Sequence, residues 1–127
     1  MKNSRVNKVL EGMMREGLSQ MIITSPASIF YLTGKWIYPG ERMIALYINQ
    51  NGDHKLVINK LFPVYEDLGV EMIWYEDTEN PIDYLNRCIN KNEILGIDKD
   101  WPARFLIQLI NSNAAKGFVN GSPIIDR

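Results

Sequence analysis

The stretch Gln20-Met21-Ile22-Ile23-Thr24-Ser25-Pro26-Ala27-Ser28-Ile29-Phe30-Tyr31-Leu32-Thr33-Gly34 decides the fold. Three successive apolar residues, Met21, Ile22 and Ile23, show no in–out alternation. The strand they predict over 20–24 is therefore buried on both faces. Ser25 followed by Pro26 predicts a helix start, with serine as the cap and proline in the first turn, where its missing N–H costs nothing. Thr33-Gly34 stops that helix after about two turns. A strand covered on both sides needs helices above and below it, and the rest of the chain supplies them.

Upstream, residues 4–17 place Val6, Val9, Leu10, Met13 and Met14 at helical spacing, with Ser4 as cap and Gly17 closing the end. Downstream, residues 35–41 form a loop by their Pro39-Gly40 pair, yet this loop carries Trp36, Ile37 and Tyr38. Aromatic side chains in a loop leave apolar area for something to cover. Residues 42–49 and 54–58 read as strands joined through Asn51-Gly52, a pair that tolerates the positive φ of a tight hairpin. Next come a short helix over 61–68 ending at Gly69, a strand over 70–75 and an acidic turn over 76–79. Asn80-Pro81 opens a helix to residue 90, and residues 94–97 form a strand. Trp101-Pro102 begins a helix that carries Phe105, Leu106, Leu109 and Ile110, and residues 116–119 form the last strand. Residues 121–127 read as a linker. Apart from the one hairpin, helices alternate with strands. That order predicts an α/β fold, a three-layer α/β/α arrangement around a mixed, mostly parallel sheet of five to six strands.

Composition narrows the chemistry. The 127 residues suit one domain, here 1–120 followed by the linker. Lys plus Arg number 14 and Asp plus Glu 15, so the chain lacks the basic footprint of a nucleic-acid binder, and no nucleic-acid partner is expected. No apolar run reaches the roughly 18 residues of a membrane span, so no membrane partner is expected either. Met1 to Leu18 has no apolar stretch of a signal peptide, and with a single cysteine a cytoplasmic location is expected. One histidine, His54, and one cysteine, Cys88, rule out a Cys/His zinc site within a single chain. His54 follows the hairpin turn and is expected to be exposed, with no acid partner at a fixed spacing. Cys88 lies on the inner side of its helix beside Tyr84 and Leu85 and reads as a small hydrophobe. Asp98 and Asp100 follow a strand, where α/β sites collect. The plainer account is that Asp100 caps the next helix and Asp98 ends its strand. Glu76, Asp77 and Glu79 read as a solvated turn. No glycine-rich phosphate cradle is present. The residues alone assemble no catalytic set, and they point to a binding or structural module.

One block is more specific. Met21-Ile22-Ile23-Thr24, then Ser28-Ile29-Phe30 leading into Tyr31, Leu32, Thr33 and Gly34 ahead of an aromatic loop, resembles the creatinase/prolidase N-terminal domain of Xaa-Pro peptidases. The preceding amphipathic helix, Arg42 opening the next strand, Ala45-Leu46-Tyr47-Ile48 with Asn51-Gly52, and Gly96-Ile97-Asp98 fit the same pattern. Ser122-Pro123-Ile124-Ile125-Asp126-Arg127 looks like the exit linker, so the resemblance covers nearly the whole chain.

The resemblance implies a ribonuclease H-like layered fold and a non-catalytic domain. The full enzyme would be a proline-specific metallopeptidase, an Xaa-Pro dipeptidase or aminopeptidase, or a creatinase. Its two divalent metal ions (Mn, Co or Zn) would be held by two aspartates, one histidine and two glutamates of a C-terminal catalytic domain that follows the linker. No catalytic residue, metal ligand or cofactor is implied within 1–127. The implied partners are that catalytic domain, a second subunit in a homodimer, and short Xaa-Pro peptides as substrate. The loop 35–41 would approach the active-site mouth of a partner subunit, with Trp36 and Tyr38 lining a pocket and Arg42 meeting a substrate carboxylate. Packing between subunits or domains is the competing account of Trp36 and Tyr38, and a surface strand-start the competing account of Arg42. Two rivals from other classes remain: a free-standing binding or regulatory module, and a ribonuclease H-like nuclease, which the absence of an acidic residue from the first strand disfavours.

Overall fold

All four residues of β1 (Gln20–Ile23) are buried, because helices cover both faces of the sheet it sits in. The computed structural model describes residues 1–126. Around β1 the chain forms α1 (Asn3–Arg15), α2 (Pro26–Thr33), β2 (Ala45–Asn49), β3 (Lys55–Asn59), β4 (Glu71–Tyr75), α3 (Pro81–Cys88), β5 (Ile94–Ile97), α4 (Ala103–Asn111), β6 (Gly117–Asn120) and α5 (Ser122–Ile125). The strands make one sheet in the order β4-β3-β2-β1-β5-β6. β2 is antiparallel to both neighbours, whereas β3/β4, β1/β5 and β5/β6 are parallel. Five strands thus share a direction and β2 reverses, as the Asn51-Gly52 hairpin requires. Ile22 pairs with Tyr47 on one side and Ile97 on the other.

Strand periodicity divides the core into two. Met21 and Ile23 join Leu46, Ile48, Leu56 and Ile58 on one face, under Val6, Val9 and Met13 of α1, Ile29 and Leu32 of α2, and Ile124 and Ile125 of α5. Ile22 joins Ala45, Tyr47, Val57 and Leu95 on the other face, under Ile82 and Leu85 of α3 and Phe105 and Leu109 of α4. This is the expected three-layer arrangement, and each fully buried aliphatic side chain contributes about 2 kcal/mol.

Local signals hold at several element ends. Ser25 Oγ accepts from the Ser28 amide at 3.4 Å, Pro26 sits in the first turn of α2, and Gly34 ends it at φ 81°. Asn80 caps α3 through the Ile82 amide, again ahead of a proline. Others are corrected. Lys2, not Ser4, is the cap residue of α1, and no side chain caps that end. Pro102, not Asp100, occupies the cap position of α4, again without a side-chain bond. The strand expected from Arg42 begins at Ala45, where ladder pairing with Val57 starts, and Met43 and Ile44 are buried in the irregular approach to it.

The helix expected over 61–68 is absent. Pro63 interrupts its interior, and side chains capture the backbone instead. Asn59 Oδ1 accepts from the Leu61 amide at 2.8 Å and Asp67 Oδ1 from the Gly69 amide at 2.8 Å. The segment still buries Phe62, Val64 and Leu68. Residues 122–125, read as linker, form α5 and bury Ile124 and Ile125 against α1, where Gly12 leaves only 3.1 Å between a built Cβ and Ile124 Cγ2. Arg127, the last residue of the expected linker, lies outside the described residues.

Candidate functional site

Because five strands run the same way, their carboxyl ends share one edge of the sheet. The reversal of β2 brings its incoming segment, residues 34–44, to that edge too. Sites in α/β sheets collect at such an edge, and the candidate side chains are found along it.

Asp98, just past β5, is 5 % exposed and binds the turn that leaves β1. Its Oδ1 accepts from the Thr24 amide at 2.9 Å and the Thr24 hydroxyl at 2.5 Å, and its Oδ2 accepts from the Ser25 amide at 3.0 Å. Burial pushes its pKa above the usual carboxylate value, opposed by the Thr24 hydroxyl and the two amides. The Thr24 hydroxyl also lies 2.9 Å from the Asp100 carbonyl. Asp98 is therefore a clamp between β1 and β5. Gly96, two residues before it, makes room for Leu18, whose Cδ2 would stand 2.6 Å from an added Cβ. The Gly96-Ile97-Asp98 pattern thus has a packing reason at one end and a hydrogen-bonding reason at the other.

The Tyr31-to-Gly34 block is scaffold for the loop that follows. Leu32 is fully buried, and its carbonyl accepts from the Lys2 amide at 2.8 Å. Thr33 Oγ1 donates to the Ile29 carbonyl at 2.7 Å and accepts from the Lys35 amide at 3.1 Å, which fixes the direction of exit. Tyr31 lies at the surface under the Arg5 guanidinium, 4.8 Å from its ring centroid. Gly34 is left-handed, and a Cβ there would also meet Lys2 Cε at 2.9 Å.

Beyond Gly34, buried Ile37 pins the loop, and Trp36 and Tyr38 flank it. Phe30, Trp36 and Tyr38 form an edge-to-face row, with centroids 5.8 and 5.7 Å apart. Tyr38 is 79 % exposed and Trp36 42 %. The structure thus brings Trp36 and Tyr38 together as an aromatic ridge.

Arg42 faces a different neighbour. Its Nε and Nη2 donate to the two carboxylate oxygens of Asp77 at 2.9 and 2.8 Å. Asn59 Nδ2 adds a bond to Asp77 Oδ1 at 2.7 Å. The Arg42 fork, with the Asn59 amide, lowers the Asp77 pKa to about 2. The turn over 76–79 is therefore knit into the rim, since Lys60 also pairs with Glu76 and Tyr84 Oη donates to Glu79. Arg42 further lines a small cavity with Asp100 and Trp101, a group that excludes Trp36 and Tyr38.

His54 lies beyond the opposite end of the sheet. It is half-buried rather than exposed, accepts from the Asn49 amide at Nδ1 (3.3 Å), and has its pKa pushed down by burial. Burial raises the Cys88 thiol, which suits a packing role. The sequence reading missed Asp98 as clamp, Asp77 as partner of Arg42, and Trp101. The available signal was position alone: each lies just past the carboxyl end of a strand.

No group of three or more His, Cys, Asp or Glu among the described residues could hold a metal ion. No helix among them is long and apolar enough to cross a membrane.

Residues 5–127 match the Creatinase/Prolidase N-terminal domain. An uncharacterized peptidase of Staphylococcus haemolyticus is 35% identical over 92 residues, covering 69% of this chain and 26% of the relative. The chain therefore spans about a quarter of the length of such curated relatives. Among solved structures, a prolidase from Thermococcus sibiricus superposes with TM-score 0.86 at 19% identity, over 98% of this chain and 36% of its own. The Creatinase/Prolidase N-terminal domain of an X-Pro dipeptidase from Streptococcus pyogenes superposes with TM-score 0.77 at 20% identity, over 99% of this chain and 98% of its own. These superpositions confirm the α/β fold with its six-stranded mixed sheet, and the match across residues 5–127 shows that the chain belongs to the creatinase/prolidase N-terminal domain family.

Proposed function

We propose that this chain is the non-catalytic N-terminal domain of a cytoplasmic, proline-specific metallopeptidase, an Xaa-Pro dipeptidase or aminopeptidase. Within it, the domain contributes to oligomerisation and shapes substrate access. The observation that carries this reading is the match of residues 5–127 to that domain family. The aromatic ridge supports the access role: Trp36 and Tyr38 project from a loop fixed at Thr33 and Ile37, a rigid apolar surface suited to a partner subunit or a peptide side chain. Two divalent ions (Mn, Co or Zn) would supply Lewis-acid chemistry in the catalytic domain. The described residues of this chain gather no donor cluster to hold them. What these residues do is position and cover, in a homodimer where the loop 35–41 meets the partner's active-site mouth.

The test uses the full-length protein with added Mn²⁺. Hydrolysis of Xaa-Pro peptides, with kcat/KM that falls as peptide length grows, is the expected result. A Trp36→Ala, Tyr38→Ala double variant should flatten that length dependence while retaining its Tm. No Xaa-Pro hydrolysis would refute the family activity, and unchanged kcat/KM at every length would refute the access role.

A further inference from the structure

Two strands end the sheet, β4 on one side and β6 on the other. An edge strand leaves the N–H and C=O of every second residue unpaired. One bond shows which residues those are on β4. The Lys60 amide of the segment leaving β3 donates to the Tyr75 carbonyl at 2.9 Å. Tyr75, and with it Ile73 and Glu71, therefore turns its backbone groups toward β3. Met72 and Trp74 turn theirs outward, and no described residue bonds them there. Sheet edges are normally blunted by shortness, a lysine, a proline, a bulge or a covering element. β6 is blunted by its length, four residues from Gly117 with Gly121 just after. β4 pairs with β3 over all five of its residues without a bulge, and it reads Glu-Met-Ile-Trp-Tyr, with neither lysine nor proline. Met72, Ile73 and Trp74 are only half-buried.

The strand's own sequence specifies what completes it. Set a second copy of β4 antiparallel to the first about a two-fold axis, with Met72 opposite Trp74. The outward groups then fall into register, because Met72 and the partner's Trp74 can each donate to and accept from the other, and the symmetric pair repeats this. Met72 and Trp74 share the sheet face under α1 and α2, so a thioether lies beside an indole twice on that face. Ile73 lies on the opposite face, under α3, and meets its own copy at the axis. Charge agrees with this register. Glu71 falls opposite Tyr75, so no two carboxylates stand directly across from each other. The acidic groups bordering the strand already hold cations of their own chain, Glu71 with Lys55, Glu76 with Lys60 and Asp77 with Arg42. A foreign strand would have to match this edge residue by residue, whereas a second copy matches it at both ends at once and closes the assembly.

We propose that the β4 edge is a homodimer surface, at which two copies of this domain pair antiparallel and join their sheets into one. The pairing gives a surface to the oligomerising role proposed above and rests on that part of the reading alone. A pair of five-residue strands falls below the roughly 1,200 Å² of stable complexes, so the isolated chain forms a weak, reversible dimer with Kd on the order of 0.1 mM. β4 ends at the Asp77 that holds Arg42, so the paired edge is continuous with the rim that carries the loop 35–41.

The 127-residue chain is the sample, since the Streptococcus pyogenes domain, 98% covered by this chain, is a stand-alone structure. Sedimentation equilibrium and amide exchange are followed from about 0.01 to about 1 mM, tenfold either side of that Kd. At the low end the chain should be a monomer, with the Ile73 and Tyr75 amides protected by β3 and those of Met72 and Trp74 exchanging freely. At the high end the mass should approach two chains, and Met72 and Trp74 should become protected as well. Two variants disrupt the pair by different means. Ile73→Lys sets like charges face to face at the axis. Met72→Pro removes an N–H that points away from β3, so it deletes an interchain donor and no bond within the chain. Each should weaken association at least tenfold, and retained protection of the Tyr75 amide shows that β3 and β4 still pair. Val119→Lys on the opposite edge should leave association unchanged. The proposal is overturned if the parent stays monomeric at about 1 mM, if both folded variants associate like the parent, or if Val119→Lys abolishes the dimer. In the full-length protein, a dimer that survives both variants overturns the β4 surface and leaves the oligomerising role standing. Peptide hydrolysis enters none of these readouts, so its failure would be seen separately.

Discussion

Replacing Asp98 by asparagine removes one acceptor oxygen and a charge while keeping the shape. In the parent chain Oδ1 serves the Thr24 amide and hydroxyl and Oδ2 serves the Ser25 amide. The substituted side chain keeps one carbonyl for Thr24 but turns its NH₂ toward the Ser25 N–H, donor against donor. An orphaned buried donor costs about 1–3 kcal/mol, and the Thr24 bonds drop from charge-assisted to neutral strength, about 1 kcal/mol more. Relief from burying a charge offsets part of this, since burial already works against the ionised form. The expected net loss for Asp98→Asn is about 2–3 kcal/mol. Asp98→Ala orphans both amides but leaves the Thr24 hydroxyl with the Asp100 carbonyl, for a loss of about 4 kcal/mol. Urea unfolding at pH 7 measures both, and the smaller loss corresponds to a Tm drop of roughly 10 °C in a domain of this size. Amide exchange adds the local readout: Thr24 and Ser25 should lose protection ahead of the β1 core. An Asp98→Asn chain within about 0.5 kcal/mol of the parent, the range of an ordinary surface change, would refute the clamp. So would unchanged protection at Thr24 and Ser25.

Other expectations follow from single contacts. The folded-state pKa of Asp77 lies near 2, below its unfolded value, so its stabilising contribution is complete above the ordinary carboxylate range and fades as pH falls toward about 2. Acid melts of the parent and Asp77→Asn should differ at pH 6 and converge near pH 2, and parallel curves throughout would refute the Arg42 pairing. Gly96→Ala drives a Cβ to 2.6 Å from Leu18 Cδ2 and should cost about 1–3 kcal/mol in urea unfolding, as overpacking does. Ile124→Ala should cost about 2–4 kcal/mol, because α5 is part of the packed layer over α1, and a loss under about 0.5 kcal/mol would mean that 122–125 is only loosely attached.

Much of the layout was legible because it depends on local rules. The apolar run of Met21 to Ile23, the Ser25-Pro26 and Asn80-Pro81 starts and the Asn51-Gly52 turn each act within a few residues, and each is found where the sequence places it. The failure over 61–68 is local competition for the backbone, and the others are long-range. Residues 61–68 have helical-looking apolar content, yet Asn59 and Asp67 divert the backbone and Pro63 blocks a helix interior. Asp100 has the right spacing for a cap, but Asp98 takes the structural part because the β1–α2 turn, 74 residues away in sequence, offers it two amides and a hydroxyl. Ile124 and Ile125 read as linker because two apolar residues after a proline carry no period. Only the proximity of α1 gives them a surface to bury against.

The candidate site was legible in part for the same reason. Trp36 and Tyr38 stand out as aromatics in a Pro-Gly loop, a local signal. Arg42 stands out as a charge at the edge of an apolar run. What gives each its place is the reversal of one strand. Were β2 parallel to β1, the connection after α2 would have to cross to the amino ends of the strands, and residues 35–44 would leave the rim. Antiparallel pairing, with Ile23 opposite Leu46, instead brings the loop back over the carboxyl ends of β1 and β5. There its outer residues form the ridge, Arg42 reaches Asp77 beyond β4, and Pro39 and Ile44 line the small cavity beside Trp101. The hairpin that makes the sheet mixed is thus also what gathers the exposed aromatics and the tethered guanidinium on one edge.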